Sequence, residues 1–227
     1  MTLPLNLPAR LFLAVLLALV CTVTVTFGQG SLRDGEPLSV GDEAPRFFNH
    51  QLSGGSFYLS DWCGPGNDVR NFRIKRGDIP KQAVVLSFFA TWCGPCRREL
   101  PEFERLRGAF DGYPVKWRVV NVGDDPDSAA AMLERFQVET ECLLDRYLVT
   151  TKRYAGDSIA LPLTVVIDQE RVVRYLHTGY DVAVGLRDMA QVVADVLGTS
   201  VPEEWTHPTG ASVDSSRAEA TTEAPRD

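Results

Sequence analysis

Residues 83–101 read Ala83-Val84-Val85-Leu86-Ser87-Phe88-Phe89-Ala90-Thr91-Trp92-Cys93-Gly94-Pro95-Cys96-Arg97-Arg98-Glu99-Leu100-Pro101 and decide the fold. Apart from Ser87, the run from Ala83 to Ala90 is apolar without alternation, the pattern of a strand buried on both faces. Pro95 suits a first helical turn, so the spacing predicts a helix from about Pro95 to Phe110, with Pro101 removing a donor inside it and kinking it. Two cysteines separated by two residues at such a strand-to-helix junction form a redox pair for geometric reasons. Cys93 falls at the helix N-terminus, where unpaired N–H groups and the positive end of the dipole favour a thiolate, which makes it the nucleophile. Cys96, one turn further in, is shielded and placed to attack a mixed disulfide formed by Cys93. Gly94 permits close approach of a partner backbone, and Pro95 stiffens the loop. Zinc would need two further ligands at suitable spacing. There is no second C-x-x-C, and His50, His177 and His207 are scattered, so no metal is assigned.

Outward from this stretch, apolar runs and amphipathic stretches alternate. Upstream, Arg46 to Gln51 and Ser56 to Leu59 flank Ser53-Gly54-Gly55 and read as an N-terminal hairpin. Downstream come a buried strand at Lys116 to Val122 and a helix from Asp124-Asp125-Pro126, with an acidic cap, to about Gln137. A short segment at Cys142 to Leu144, a helix near Arg146 to Tyr154, strands at Leu163 to Ile167 and Val172 to His177, and a helix from Asp181 to Leu197 complete the domain. This alternation predicts an α/β protein with a central mixed sheet flanked by helices, its last hairpin antiparallel.

The stretch Ser87 to Pro101 resembles the active-site segment of membrane-anchored thioredoxin-like oxidoreductases of the TlpA/ResA type. Gly41-Asp42-Glu43-Ala44-Pro45-Arg46-Phe47 resembles their domain opening, and Leu161-Pro162-Leu163-Thr164-Val165-Val166-Ile167-Asp168 their Pro-Thr-x-x-x-Ile-Asp strand. The likeness spans about residues 41 to 198. It implies a thioredoxin-like fold with Pro162 as a cis-proline facing the Cys93–Cys96 pair, and Trp92, Gly94, Pro95 and Leu161 as the surface that a substrate chain meets. It also implies exchange with disulfides of partner proteins, for example an apocytochrome c haem-binding pair or a copper-assembly protein, with electrons from a transmembrane thiol reductase and without a cofactor. The Gly-Pro dipeptide resembles that of reducing thioredoxins and favours the reductant over the oxidase or isomerase.

The sequence departs from the resemblance in two places. Thioredoxins carry a buried Asp six residues before the first Cys; here that place is Ser87. Glu99, three residues after Cys96, matches the Glu of the W-C-x-P-C-x-x-E pattern and is expected to be the partly buried proton acceptor, against the alternative of a surface Glu stabilised by the helix dipole. Leu163 stands where the family usually has Thr. Peroxiredoxins share the Gly-x-x-Ala-Pro-x-Phe opening, but their Pro-x-x-x-Thr-x-x-Cys setting is absent. A copper-binding thiol module is the noncatalytic alternative.

Two cysteines lie outside both the motif and the N-terminal apolar run. Cys63 falls in Asp61 to Lys81, an insertion about a dozen residues longer than the family-like connection and expected to be a surface loop. Cys142 opens a short buried segment. They either form a structural disulfide, which an oxidising compartment permits, or remain two thiols, which the narrow geometric window favours.

Arg10 precedes Leu11 to Phe27, seventeen residues without a charge, so residues 1–28 read as a signal peptide or membrane anchor and place the domain on the extracytoplasmic, periplasmic side. Residues 29–40 read as a linker, 41–200 as the thioredoxin-like domain and 201–227 as a disordered tail. The chain has 227 residues, 44% hydrophobic, and a net charge of -7, enough for one packed core and opposed to nucleic-acid binding, which needs a basic face.

Overall fold

A computed structural model describes residues 35–65 and 81–206. The N-terminal apolar segment, most of the 61–81 insertion and the tail beyond Thr206 lie outside the described residues. Seven strands form a single mixed sheet in the order β2-β1-β5-β4-β3-β6-β7. They are β1 (Phe48–Gln51), β2 (Ser56–Tyr58), β3 (Ala83–Phe89), β4 (Val115–Val122), β5 (Cys142–Asp145), β6 (Leu163–Ile167) and β7 (Val173–Thr178). The helices are α1 (Gly94–Ala109), α2 (Pro126–Arg135), α3 (Val149–Ala155) and α4 (Arg187–Leu197).

β3 runs through the middle, parallel to β4 and antiparallel to β6, with all seven residues buried. Its two faces carry different chemistry. Phe88 packs on Tyr154 of α3, with ring centroids 5.5 Å apart, whereas Ser87 on the opposite face bonds to Glu99 of α1. The helices therefore cover both sides of the sheet, as an apolar, non-alternating strand requires. On the α1 side, Phe103 meets Trp117 of β4 edge to face at 5.3 Å. The hairpin β1–β2 is antiparallel, and β1 joins the sheet along β5.

The structure departs from the sequence reading at several points. The last helix begins at Arg187 instead of Asp181, because Asp181 closes a tight turn, its carbonyl accepting from Gly185 N–H at 2.7 Å and its carboxylate from Ala183 N–H at 2.8 Å. α1 passes through Pro101 unbroken to Ala109. The packed unit also extends beyond residues 41–200. Leu38 is buried and donates its N–H to Tyr154 O at 3.1 Å, and Trp205, in a 3-10 turn at Glu203–Trp205, is buried beneath Arg105. An indole removed from water supplies enough apolar burial to hold a short polar segment against the domain.

Trp205→Ala should therefore lower the unfolding free energy by about 3–5 kcal/mol. Urea titration checks this, and an unchanged midpoint would show that the segment adds nothing to the core.

Candidate active site

The site begins where β3 ends. Ala90 accepts a hydrogen bond from Cys93 N–H at 3.0 Å, turning the chain from the strand into α1, whose N-cap is Cys93. The Cys93 sulfur accepts from Cys96 N–H at 3.2 Å, the bond that Ser or Asp makes at an ordinary helix start. The two cysteines are joined in a disulfide, with Cα atoms 5.3 Å apart. Both are nearly enclosed, Cys93 4% and Cys96 1% exposed, while Trp92 beside them is 69% exposed. Gly94 is open to solvent and Pro95 half-buried.

Pro162 follows a cis peptide bond after Leu161. The register brings it to the same end of the sheet: Leu163 pairs with Phe88, so Pro162 lies alongside the residues that lead from β3 to Cys93. Its carbonyl accepts from Gly179 N–H at 2.7 Å.

Glu99 is the expected carboxyl in an environment more extreme than expected. It is 1% exposed, which excludes the surface alternative, and Ser87 Oγ donates to its Oε1 at 2.9 Å. Its Oε2 is buried without a partner. Burial pushes its pKa up from 4.5 to about 8; the Ser87 hydrogen bond opposes this shift and the nearby Glu102 adds to it. The strand position that holds an acid in thioredoxins thus holds a hydroxyl, and the acid comes from the helix to meet it.

Other parts of the site escaped the sequence reading. Asp124 was read together with Asp125 as a helix cap. Asp125 does cap α2, accepting from Ser128 N–H at 2.9 Å. Asp124 turns the other way and accepts from Thr91 N–H at 2.7 Å, Thr91 Oγ1 at 2.9 Å and Asn121 Nδ2 at 2.8 Å. Arg97 donates to Thr91 O at 2.7 Å, so every polar group of the residue before Trp92 is tied down. Arg97 and Arg98 are otherwise exposed, as expected of first-turn charges. Glu102, one turn beyond Glu99, is also buried, accepting from the Tyr180 hydroxyl and from Leu186 N–H at 3.1 Å. The only sequence signal for Glu102 was its i, i+3 spacing from Glu99 on a helix whose apolar residues face the sheet.

The Cys63–Cys142 disulfide left open in the sequence is not formed. Both are buried free thiols, and burial pushes each up to about 12. Cys63 is followed by Gly64, whose N–H donates to Gln169 O just beyond β6, whereas Cys142 sits on β5, with β4 and β3 between β5 and β6. A disulfide needs the two Cα atoms within about 7 Å.

A Cys-x-x-Cys disulfide capping a helix at the C-terminal end of the central strand, with a cis-proline just before the neighbouring strand, defines a thiol-disulfide oxidoreductase of thioredoxin-like fold. Residues 40–176 match the AhpC/TSA family, and the chain belongs to that family. It is 30% identical over 166 residues to the thiol-disulfide oxidoreductase ResA of Geobacillus kaustophilus, covering 73% of this chain and 84% of the relative. To ResA of Bacillus subtilis it is 28% identical over 172 residues, covering 75% and 86%. Among solved structures, a Chlorobium tepidum protein described as a thiol:disulfide interchange protein DsbE superimposes with a TM-score of 0.58 at 25% identity, covering 71% of this chain and 99% of its own.

The buried acid has a consequence for stability. Glu99 keeps its proton to about pH 8 when folded but only to its ordinary 4.5 when unfolded, so its favourable contribution is complete below pH 4.5 and is lost as pH rises through 8. Glu99→Gln keeps the Ser87 bond and cannot ionise. Its stability relative to the parent should rise across that window, by on the order of a few kcal/mol. Paired urea titrations at pH 5 and 8.5 measure this, and equal differences at both pH values would contradict it.

Proposed function

We propose that this chain is an exported thiol-disulfide oxidoreductase that works as a reductant of partner-protein disulfides. The observation that carries the proposal is the nearly enclosed Cys93–Cys96 disulfide at the start of α1, with the exposed Trp92 and Gly94 beside it. In the reduced protein, the helix N-terminus favours the Cys93 thiolate, which attacks one sulfur of a substrate disulfide and releases the other as a thiolate. Cys96 then loses its proton, attacks the Cys93 sulfur of the mixed disulfide and closes the bond seen here, expelling the reduced substrate. Glu99, one helical turn from Cys96 with an acidity near neutral, is the proposed acceptor of that proton. Pro162 and Leu161 hold the substrate chain beside the sulfurs, with Trp92, Gly94 and Pro95 forming the opposite rim.

The reducing direction is supported by the Gly-Pro dipeptide, and export by the uncharged Leu11 to Phe27 segment after Arg10. No helix among the described residues is long and apolar enough to cross a membrane, so membrane attachment rests on that N-terminal segment. A transmembrane thiol reductase is the proposed electron source.

Equilibrating the protein in thiol redox buffers tests the direction. A Cys93–Cys96 potential near the roughly -270 mV of thioredoxin supports the reductant; one near the roughly -120 mV of DsbA points to disulfide formation instead. Cys96→Ser should accumulate a mixed disulfide between Cys93 and a substrate protein, resolved by mass spectrometry after thiol blocking. A copper-binding module would trap none.

A further inference from the structure

Glu99 and Glu102 face the interior of the domain one turn apart on α1, and both are almost wholly buried. Two carboxyls this close in a dry setting disfavour a second charge, so one of them holds a proton. Their partners differ. Glu102 accepts from the Tyr180 hydroxyl and the Leu186 amide, one on each carboxylate oxygen, whereas Glu99 has one donor, Ser87, and an unpartnered Oε2. Hydrogen bonds from donors favour the charged form of a carboxylate, and burial without them favours the neutral form.

We propose that Glu102 is a positioning residue which keeps the proton of this pair on Glu99, the member next to the disulfide. The inference rests on the reading of Glu99 as the proton-transfer group. It adds a role for the loop between β7 and α4, which supplies both donors. Gly185, at φ +62°, brings that loop directly against the Glu102 carboxylate, which a Cβ at this position would displace.

The step served is the opening of the disulfide by an electron donor. A donor thiolate bonds to the Cys93 sulfur, the Cys93–Cys96 bond breaks, its electron pair leaves on Cys96, and the Cys96 thiolate takes the proton from Glu99. A second donor thiol then releases Cys93. Closure of the bond during substrate reduction runs the proton back to Glu99.

The groups around Glu99 come from several elements. Ser87 stands on β3, Glu102 on α1, Tyr175 on β7 and Tyr180 in the following loop. Asp188 of α4 acts on Tyr175, and Arg105 on Tyr180. Burial first, then Asp188 and Glu99, push the Tyr175 phenol up to about 12. Burial and the Glu102 carboxylate push Tyr180 up as well, so it stays a donor through neutral pH. Among the described residues, no cation figures in the groups acting on Glu99 itself.

The test is the rate of disulfide opening by dithiothreitol, divided by its thiolate concentration and followed by quenched alkylation from pH 5.5 to 9.5. The parent rate should fall through a step near pH 8, where Glu99 gives up its proton. Glu99→Gln should erase the step; if the step persists, the Glu99 reading itself fails and the inference with it. Glu102→Gln should keep the step and move its midpoint down by about half a pH unit or more. A midpoint that stays put or rises, with Glu99→Gln behaving as expected, overturns the role of Glu102 alone. Carboxyl 13C shifts of the unaltered oxidised protein provide a check that needs no folded variant. Glu99 should show the protonated shift at neutral pH and titrate near pH 8, and an ionised Glu99 at neutral pH overturns the inference.

Discussion

Every residue of β3 is buried, and that constraint organises the molecule. A strand with no solvent face must be covered on both sides and flanked on both edges, so β4 and β6 pair with it while α1 and α3 close its faces. Its C-terminal end is where this covering has to stop, and the chain leaves into a helix whose first amides have no backbone partners. The sulfur of Cys93 fills that vacancy. The redox pair is thus held by the same interactions that end the strand, and its position depends on little that is long or mobile. The carboxylate of Asp124, taking three hydrogen bonds from Thr91 and Asn121, fixes the short connection between the two elements.

Burial of β3 also explains why a polar residue in it has consequences. Ser87 is fully enclosed, and an enclosed hydroxyl must find an acceptor. On the face that α1 covers, Glu99 meets it. The resulting pair is half-satisfied, one carboxyl oxygen bonded and the other not, an arrangement that burial tolerates when the acid is neutral. Strand and helix have exchanged the acid between them while leaving it in the same region of the core.

The fold was legible because its decisive signals are local. The apolar run at Ala83–Ala90, the C-x-x-C at its end and the Ser53-Gly54-Gly55 turn each depend on neighbours in sequence, and strand and helix order followed from them. The cysteine pair was readable for the same reason. What could not be read depends on contacts between distant segments. Asp124 and Asp125 are chemically identical neighbours, and only the approach of Thr91 separates their roles. Glu102 looks like an ordinary helix-surface acid until the Tyr180 loop folds over it. The packing of Leu38 and Trp205 was hidden by polar, Pro-containing surroundings that resemble linkers, since one apolar side chain is too little signal to outweigh them. The state of Cys63 and Cys142 turned on strand order, which alternation alone does not fix.

The contrast between Trp92, 69% exposed, and Cys93, 4% exposed, bears on which molecules can reach the bond. Sulfur that is barely visible to solvent is insulated from small dissolved oxidants and thiols, whose collisions land mostly on the indole and the Gly94 backbone. A molecule large enough to cover the exposed indole gains binding free energy that a small solute does not, and can use it to reach inwards. Selectivity then lies in access, because an enclosed sulfur yields first to whatever can hold itself against the surrounding surface.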